Sequence, residues 1–241
     1  MPHLSISKFS CLGDARFSLA PVNILIGPQG SGKSVTTKLF YFCADILSQF
    51  LLPAERGIGF DKYREHVAQQ FALWFPPSAW GNERFNISYN AGHFNMRILR
   101  KLSKGKVSDG VTVNFSDWFE DIYKKSVSIL GIARSQSEES VEIGATVGGL
   151  DRVFHVRDEI TQQIHKDLGK EYIGQQTFIP AGRAFFTTIG RLVAGIEQGV
   201  ASLDPVTLKV ARLFANLRDR NAYRSLAYLD RLGPDLRHRR T

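Results

Sequence analysis

Eight consecutive residues, Gly27-Pro28-Gln29-Gly30-Ser31-Gly32-Lys33-Ser34, restrict the possible fold more than any other part of the sequence. They match the pattern G-x-x-x-x-G-K-[ST] at every fixed position. The apolar run "VNILIG" leads into them, and from Lys33 an amphipathic pattern continues to Leu51. A strand, a glycine-rich turn and a helix in this order are typical of a phosphate-binding loop, so we expect an α/β fold built around it.

Each residue type in this loop has a chemical task. Glycines let the backbone wrap so that its N–H groups point inward, towards phosphate oxygens. The helix that follows adds its free N-terminal N–H groups and the positive end of its dipole at the same point. We expect Lys33 to reach the β- and γ-phosphates as a catalytic residue, and the Ser34 hydroxyl to bind Mg²⁺. The sequence therefore predicts a site for ATP and Mg²⁺ that consists of Gly27, Pro28, Gln29, Gly30, Ser31, Gly32, Lys33, Ser34 and Val35.

The periodicity of apolar residues divides the chain into four parts. Residues 1–53 hold three predicted strands, "HLSISKF", "ARFSLA" and "VNILIG", then the loop and a helix that Pro53 ends. Residues 54–170 are predicted to be an inserted α+β subdomain. Residues 171–221 return to the core with the strand "QTFIPA" and two helices, and residues 222–241 form an irregular basic tail. The unbroken apolar run in "VNILIG" favours a central strand that is buried on both faces.

Within the insertion, the period of the apolar residues alternates between helix and strand. We expect helices at about residues 60–75, 116–130 and 150–168, and three alternating strands centred near Ile87, Met96 and Val113. The sequence "NAGH" between the first two strands predicts a hairpin loop. The sequence "SQSEES" predicts an exposed loop between the last two helices.

The formal net charge of +8 belongs mainly to the end of the chain. Residues 209–241 hold nine cations and three anions, so the preceding residues are nearly neutral. These cations form no continuous stripe, and both DNA binding through the tail and a solvated surface remain open. Three tryptophans, Trp74, Trp80 and Trp118, lie among other aromatic residues, so we expect them in the core and not stacked on nucleic-acid bases.

The sequence predicts a cytoplasmic protein with no membrane partner. Cys11 and Cys43 are too few for a disulfide framework and form no CxxC pair, which fits a reducing compartment. The N-terminus alternates and lacks the continuous apolar block of a signal peptide, and no apolar run reaches the roughly 18 residues of a membrane span. His155 and His165 lie ten positions apart, which is no metal-ligand spacing, and no catalytic triad is recognisable.

The segment "ISKFSCLGDARFSLAPVNILIGPQGSGKSVTTKLF" resembles the N-termini of ABC-type ATPase heads of the SMC, RecF and OLD-nuclease kind. In that family the pattern is "I-x-N-F", a gap, then "L-x-x-x-N-x-L-x-G-x-N-G-x-G-K-S" and a helix. This chain has Lys8 and Gln29 where asparagine is usual, and neither change removes a phosphate contact made by the backbone. The resemblance implies a P-loop ATPase head: an N-terminal antiparallel β-meander and a central sheet with flanking helices, here with an inserted α+β segment.

A second stretch, "TFIPAGRAFF", resembles the "YIPAER-S" segment of AAA-family defence ATPases and OLD-like ATPases. The resemblance implies that Arg183 lies near the γ-phosphate and acts as a catalytic phosphate sensor. A surface arginine at the start of a helix is the alternative. Gln175 or Gln176 is a further candidate for sensing Mg²⁺ and water, although both begin the predicted strand and do not end it.

The family also needs two parts that the sequence does not show. One is an LSGGQ-like signature loop, and the other is a Walker B strand ending in Asp-Glu, which holds Mg²⁺ and activates water. "TVGGLD" (146–151) has the paired glycines of a signature loop, but it precedes the return strand, which is the wrong order for this family. We expect this segment to be an ordinary loop. "LAYLDR" (226–231) approaches a Walker B, but Arg231 replaces the glutamate. We therefore expect an incomplete, truncated head; the alternatives are a compact variant and a half that another chain completes.

These observations lead to three functional hypotheses. The first is the ATP-binding head of an ABC-type ATPase in DNA repair or phage defence, whose hydrolysis requires a composite site formed by a homodimer or a partner chain. The second is a nucleotide-gated binding module that assembles with a nuclease or another effector without turnover of its own. The third, a small-molecule or nucleotide kinase, would need an acceptor-binding lid that the sequence does not show. The candidate partners are ATP, a second chain, DNA and a nuclease effector.

Overall fold

The computed structural model describes residues 1–103, 105–142, 148–174, 176–179 and 210. The chain divides into two compact units, Met1–Gln176 and Thr177–Thr241, and nearly all described residues belong to the first. Residues 176–179 of the predicted strand "QTFIPA" are in neither a helix nor a strand. The helices predicted beyond residue 182 and the basic tail lie outside the described residues, except for Val210, which is helical.

The described part of the first unit is an α/β arrangement of five strands and five α-helices. The strands are β1 (His3–Phe9), β2 (Leu12–Ser18), β3 (Asn86–Ala91), β4 (Phe94–Ser103) and β5 (Lys106–Phe115). The α-helices are α1 (Lys33–Gln49), α2 (Leu51–Glu55), α3 (Phe60–Trp74), α4 (Asp117–Glu142) and α5 (Gly148–Leu168). Two short 3₁₀ helices, Pro77–Ala79 and Gly169–Glu171, complete the order. The general α/β class expected from the sequence is confirmed.

The strands form one antiparallel sheet in the order β2-β1-β3-β4-β5. The N-terminal hairpin joins the later strands because β1 pairs with β3, from His3 opposite Asn90 to Ser7 opposite Asn86. Gly92 has a φ of 56° in the tight loop between β3 and β4, a conformation that glycine adopts without strain. Strands from residues 54–170 therefore extend the sheet that the first residues begin.

Alternation along the strands gives the sheet one apolar face, and α1, α3 and α4 pack on it. Strand β3 alternates strictly between half-buried and buried residues, as the period-2 pattern predicted. Aromatic rings join the layers: Phe40 of α1 lies 5.8 Å from Tyr89, and Phe119 of α4 lies 5.1 Å from Phe94. Full burial of a ring such as Phe94 or Phe119 stabilises the fold by about 1.5–3 kcal/mol. Two of the three tryptophans, Trp74 and Trp80, are buried in this core as expected.

Three sequence predictions about these elements are wrong. "SQSEES" is part of α4 and not a loop, and a hydrogen bond from Arg152 of α5 to Gln136 (2.7 Å) ties the two helices there. Residues 148–151 begin α5 and are likewise not a loop. Pro53 does not end the first helix: α1 ends at Gln49, and Pro53 lies in the first turn of α2, where a backbone N–H is not needed.

An ionic contact ties the N-terminus to Glu171, in the 3₁₀ helix that follows α5. The Met1 ammonium lies 2.5 Å from Oε1 of Glu171, whose Oε2 accepts a hydrogen bond from the Gly92 N–H at 2.5 Å. The bond to the Met1 ammonium, followed by the bond from Gly92, lowers the pKa of Glu171 below its ordinary value of 4.5. This contact links the start of β1, the β3–β4 loop and the residues after α5.

One stretch, Lys33–Glu55, has the length and apolar character of a membrane span, which the sequence analysis did not find. Within it, 61% of the most apolar window is buried inside the protein. The core helix of a folded domain shows the same properties, so this stretch is weak evidence for a membrane location.

Candidate phosphate-binding site

The segment that leads into the loop is not a strand. No residue from 19 to 32 is in a strand, and Val22, Ile24 and Ile26 are 77%, 78% and 91% exposed. The prediction of a central strand buried on both faces is therefore wrong for the described part of the chain. The physical reason is pairing: a strand of this kind needs neighbours on both edges, and no described strand lies beside it.

The loop itself has the backbone that its glycines predict. Gly30 and Gly32 have φ values of 81° and 85°, which residues with a side chain rarely adopt. Gly32 is the N-cap of α1 and has no side-chain cap, so α1 begins at Lys33 with unoccupied N–H groups. No acidic residue lies in the first turn to neutralise the positive end of the helix dipole. The helix start thus offers donors and partial positive charge to an anion.

Strand β2 and the turn before it fix the position of the helix start. A Cβ added to Gly32 would lie 2.5 Å from Cδ2 of Leu12 and 3.2 Å from Sγ of Cys11. Only a residue without a side chain fits this contact, in addition to the backbone requirement. The sequence reasoning missed Leu12 and Cys11, because the strand it predicted, "ARFSLA", begins three residues after Leu12.

Lys33 folds back over the loop that precedes it. Its ammonium donates hydrogen bonds to the backbone oxygens of Gly27 (2.7 Å) and Pro28 (2.5 Å), and to Oγ of Ser31 (3.2 Å). These bonds connect the entrance of the loop to the first residue of the helix. They place a full positive charge beside the free N–H groups of α1, which is the arrangement that attracts phosphate oxygens.

Of the residues that follow Lys33, some pack inside the protein and others are exposed to solvent. Ser34 is exposed in the first turn, and Val35 is half-buried. Thr36 is buried and its hydroxyl donates to the Gly32 oxygen at 3.0 Å, which strengthens the helix start. The Thr37 hydroxyl is bonded to the backbone oxygens of Lys33 and Ser34, at 3.2 and 3.1 Å. Ser34 is therefore the hydroxyl in this turn that is open to a ligand.

The structure gathers Gly27 to Val35 at one place and leaves the other candidates elsewhere. Arg183 and Gln175 lie outside the described residues. Gln176 is half-buried, and its Nε2 atom has no hydrogen-bond partner among the described residues. Trp118 is half-buried and donates to Asp167 (3.2 Å), so it is partly withdrawn from solvent.

Side chains that bind metals or react as nucleophiles are sparse in the described part of the chain. No three His, Cys, Asp or Glu side chains of these residues group as metal ligands would. Cys43 is a free buried thiol whose pKa is raised by desolvation, and Cys11 is free and exposed. The chemistry of this region therefore rests on backbone donors, Lys33 and the Ser34 hydroxyl.

Comparison with known proteins does not assign the chain to a family. No protein-family model, curated protein or solved structure matches the chain.

Proposed function

We propose that the chain is the ATP-binding head of an ABC-type P-loop ATPase that works with Mg²⁺ in the cytoplasm. One observation carries the proposal: Gly32 turns a glycine loop directly into an uncapped helix, and Lys33 folds back over that loop. The sequence match to G-x-x-x-x-G-K-[ST] and the resemblance to SMC, RecF and OLD-type heads support it.

The geometry indicates how the loop would bind a nucleotide. Phosphate oxygens would accept hydrogen bonds from backbone N–H groups of the loop and of the first turn of α1. Lys33 would exchange some of its bonds to Gly27 and Pro28 for bonds to the β- and γ-phosphates. Ser34, exposed at the first turn, would complete the coordination of Mg²⁺. All of these contacts are made to phosphate or metal, so they do not select the base.

Hydrolysis needs a group that activates water, usually a carboxylate. Within the described residues, no carboxylate is hydrogen-bonded to any residue from 27 to 34. We propose that this group comes from a composite site formed with a second copy or a partner chain. DNA repair or phage defence, with DNA or a nuclease as effector, is the proposed setting, and it rests on the family resemblance.

A second candidate is a nucleotide-gated binding module that assembles with an effector without turnover. The sequence "LAYLDR" favours it, because Arg231 occupies the position where the resemblance places a catalytic glutamate. A cation cannot act as the base that removes a proton from water. In this candidate, ATP binding changes the partner surface and no hydrolysis follows.

Equilibrium binding of ATP with Mg²⁺ tests the site directly. Lys33→Ala removes charge-assisted hydrogen bonds worth about 1.5–3 kcal/mol each, so we expect ATP to bind about tenfold to a hundredfold more weakly or not at all. Lys62→Ala, which removes an exposed lysine of α3, is the matched control and should bind like the parent chain. Equal affinity of both variants would refute the site.

Steady-state turnover then separates the candidates. ATP hydrolysis that depends on Lys33, measured with and without double-stranded DNA, supports the ATPase. Binding that depends on Lys33 without turnover in either condition supports the nucleotide-gated module. Transfer of the γ-phosphate to a small acceptor, found in a phosphoacceptor screen, would contradict both and indicate a kinase.

A further inference from the structure

Strand β2 lies at one edge of the sheet, and β1 is the only described strand that pairs with it. Just after β2, the Leu19 N–H donates to the Pro2 oxygen at 2.9 Å and continues the ladder between the two strands. Backbone groups of successive residues point to alternate sides of a strand, so Asp14, Arg16 and Ser18 direct their N–H and C=O groups away from β1. Within the described part of the chain, this row is a template for one more strand.

The opposite edge of the sheet, strand β5, differs from β2. Its pairing with β4 is irregular between Arg100 and Leu102, and its first residue is Lys106. Irregular pairing and edge lysines are among the devices that keep an edge strand from pairing further. Strand β2 contains neither lysine nor proline, and its register with β1 is the same at Ser18 as at Leu12. Of the two edges, β2 is therefore the one that is suited to a partner strand.

Two charged side chains of β2, those of Asp14 and Arg16, form no salt bridge among the described residues. On the β1 side they stand opposite two serines, Ser7 and Ser5. Both charged side chains are exposed, and because they are two positions apart they lie on the same face of the sheet. A strand that places a cation beside Asp14 and an anion beside Arg16 would therefore match this edge.

The strand that meets this requirement is β2 itself, in the opposite direction. When two copies pair antiparallel with Ala15 opposite Ala15, Asp14 of each copy stands opposite Arg16 of the other. If the centre of the pairing moves to Asp14 or to Arg16, two like charges stand opposite each other. The charge pattern thus selects a second copy of the chain as partner, and it selects one register.

The same register accounts for Gly13. Its φ is not in the left-handed region, and nothing lies within 4 Å of an added Cβ, so neither the backbone nor the packing of the chain requires glycine there. In the pair of β2 strands, Gly13 stands opposite Phe17 of the second copy, at a position where cross-strand side chains approach most closely. Phe17 is only half-buried in the described structure. An aromatic ring that covers a cross-strand glycine stabilises such a pairing.

We propose that two copies of the chain associate through their β2 edges, so that their sheets form one continuous antiparallel sheet across a two-fold axis at Ala15. This interface contains no residue from 27 to 35. It is therefore separate from the proposed nucleotide site, and its formation does not require ATP. A single pair of strands is small beside the roughly 1,200 Å² at which standard interfaces begin, so we expect a weak, reversible dimer.

Sedimentation velocity of the full chain without nucleotide, at protein concentrations up to about 100 µM, tests the proposal. The parent chain should show a monomer–dimer equilibrium. Asp14→Arg and Arg16→Asp should each weaken the dimer about tenfold or more, because both ion pairs become pairs of like charges. An equimolar mixture of these two variants should restore the dimer, since each supplies the charge that the other lacks. Asp121→Arg, the same change at an exposed position of α4, is the matched control and should associate like the parent chain.

Disulfide cross-linking tests the register. In a chain with Cys11→Ala, Ala15→Cys should link two copies on mild oxidation, because the paired Cα atoms would lie about 4.5 Å apart. Ser18→Cys on the same strand should not, since the two Cα atoms would be about 20 Å apart. A monomeric parent chain, equal cross-linking at both positions, or a mixture of charge variants that stays monomeric would overturn the proposal. A dimer that forms only with ATP, or that Lys33→Ala abolishes, would indicate the composite nucleotide site and overturn it as well.

Discussion

Substitution of alanine for Gly32 tests how closely the candidate loop is packed against the sheet. The added Cβ would lie 2.5 Å from Cδ2 and 2.9 Å from Cγ of Leu12, well inside the contact distance of carbon atoms. The φ of 85° at this position adds a backbone cost of about 1–2 kcal/mol for a residue with a side chain. Overpacking typically costs a further 1–3 kcal/mol, approximately, so we expect a total destabilisation of about 2–5 kcal/mol.

Chemical denaturation and ATP binding measure this cost in two ways. If the loop stays packed against Leu12, the free energy of unfolding falls by the full amount, about 2–5 kcal/mol. If the loop instead moves away from Leu12, the free energy of unfolding falls less, but ATP binding is lost. The double variant Gly32→Ala/Leu12→Ala should recover the steric part, because the clashing atoms are removed. The backbone part should remain, since alanine still occupies a left-handed conformation.

Gly30 provides the matched control. Its φ of 81° is nearly the same as that of Gly32, but nothing lies within 4 Å of an added Cβ. Gly30→Ala should therefore cost only the backbone part, about 1–2 kcal/mol. If Gly32→Ala and Gly30→Ala have equal effects on both stability and ATP binding, the packing of Gly32 against Leu12 is not what fixes the helix start.

Two other perturbations follow from contacts described above. Glu171→Gln should reduce the free energy of unfolding at neutral pH by less than about 1 kcal/mol, because the ion pair with Met1 is largely solvated. The folded-state pKa of Glu171 is lowered, so this stabilisation is present above its ordinary pKa of 4.5 and disappears as the pH falls through the folded-state pKa. If the parent chain and Glu171→Gln still differed in stability by the same amount in strong acid, the ion pair would not be the source of the effect. Replacing both Ile24 and Ile26 by lysine should change the free energy of unfolding, measured by chemical denaturation, by no more than about 0.5 kcal/mol, since both side chains are exposed. A large loss of stability would show that this segment is packed.

The local features of the fold were predictable where a single period dominates the sequence. Strand β1 and helix α3 have the predicted bounds to within a residue, because Leu4 and Ile6 alternate and Phe60, Tyr63, Val67 and Phe71 recur at helical spacing. The buried state of these residues confirms both patterns. In such elements, the local sequence alone determines which residues are buried.

Features that depend on distant partners were not predictable. The pairing of β1 with β3 joins residues far apart in the chain, and no local pattern specifies it. The segment 22–26 has the composition of a central strand but lacks paired neighbours in the described structure, so composition alone misled the prediction. "SQSEES" is polar enough for a loop, but the neighbouring helix α5 supports it as the end of α4.

At the candidate site, the motif predicted the glycine conformations and the uncapped helix start, because each follows from backbone geometry. The contact of Gly32 with Leu12 was missed because it crosses from the loop to another strand.

The position of β1 in the sheet has a consequence for synthesis of the chain. The ribosome makes the hairpin of β1 and β2 and then the phosphate-binding loop, but the strand that pairs with the free edge of β1 starts only at Asn86. At bacterial and eukaryotic elongation speeds, β5 follows the hairpin after roughly 5–20 s. During that delay the apolar side of the hairpin and α1 have no completed sheet to cover them. The loop is therefore encoded early but assembled late, and a nascent chain released after α1 would be a substrate for chaperones and not a small nucleotide-binding module.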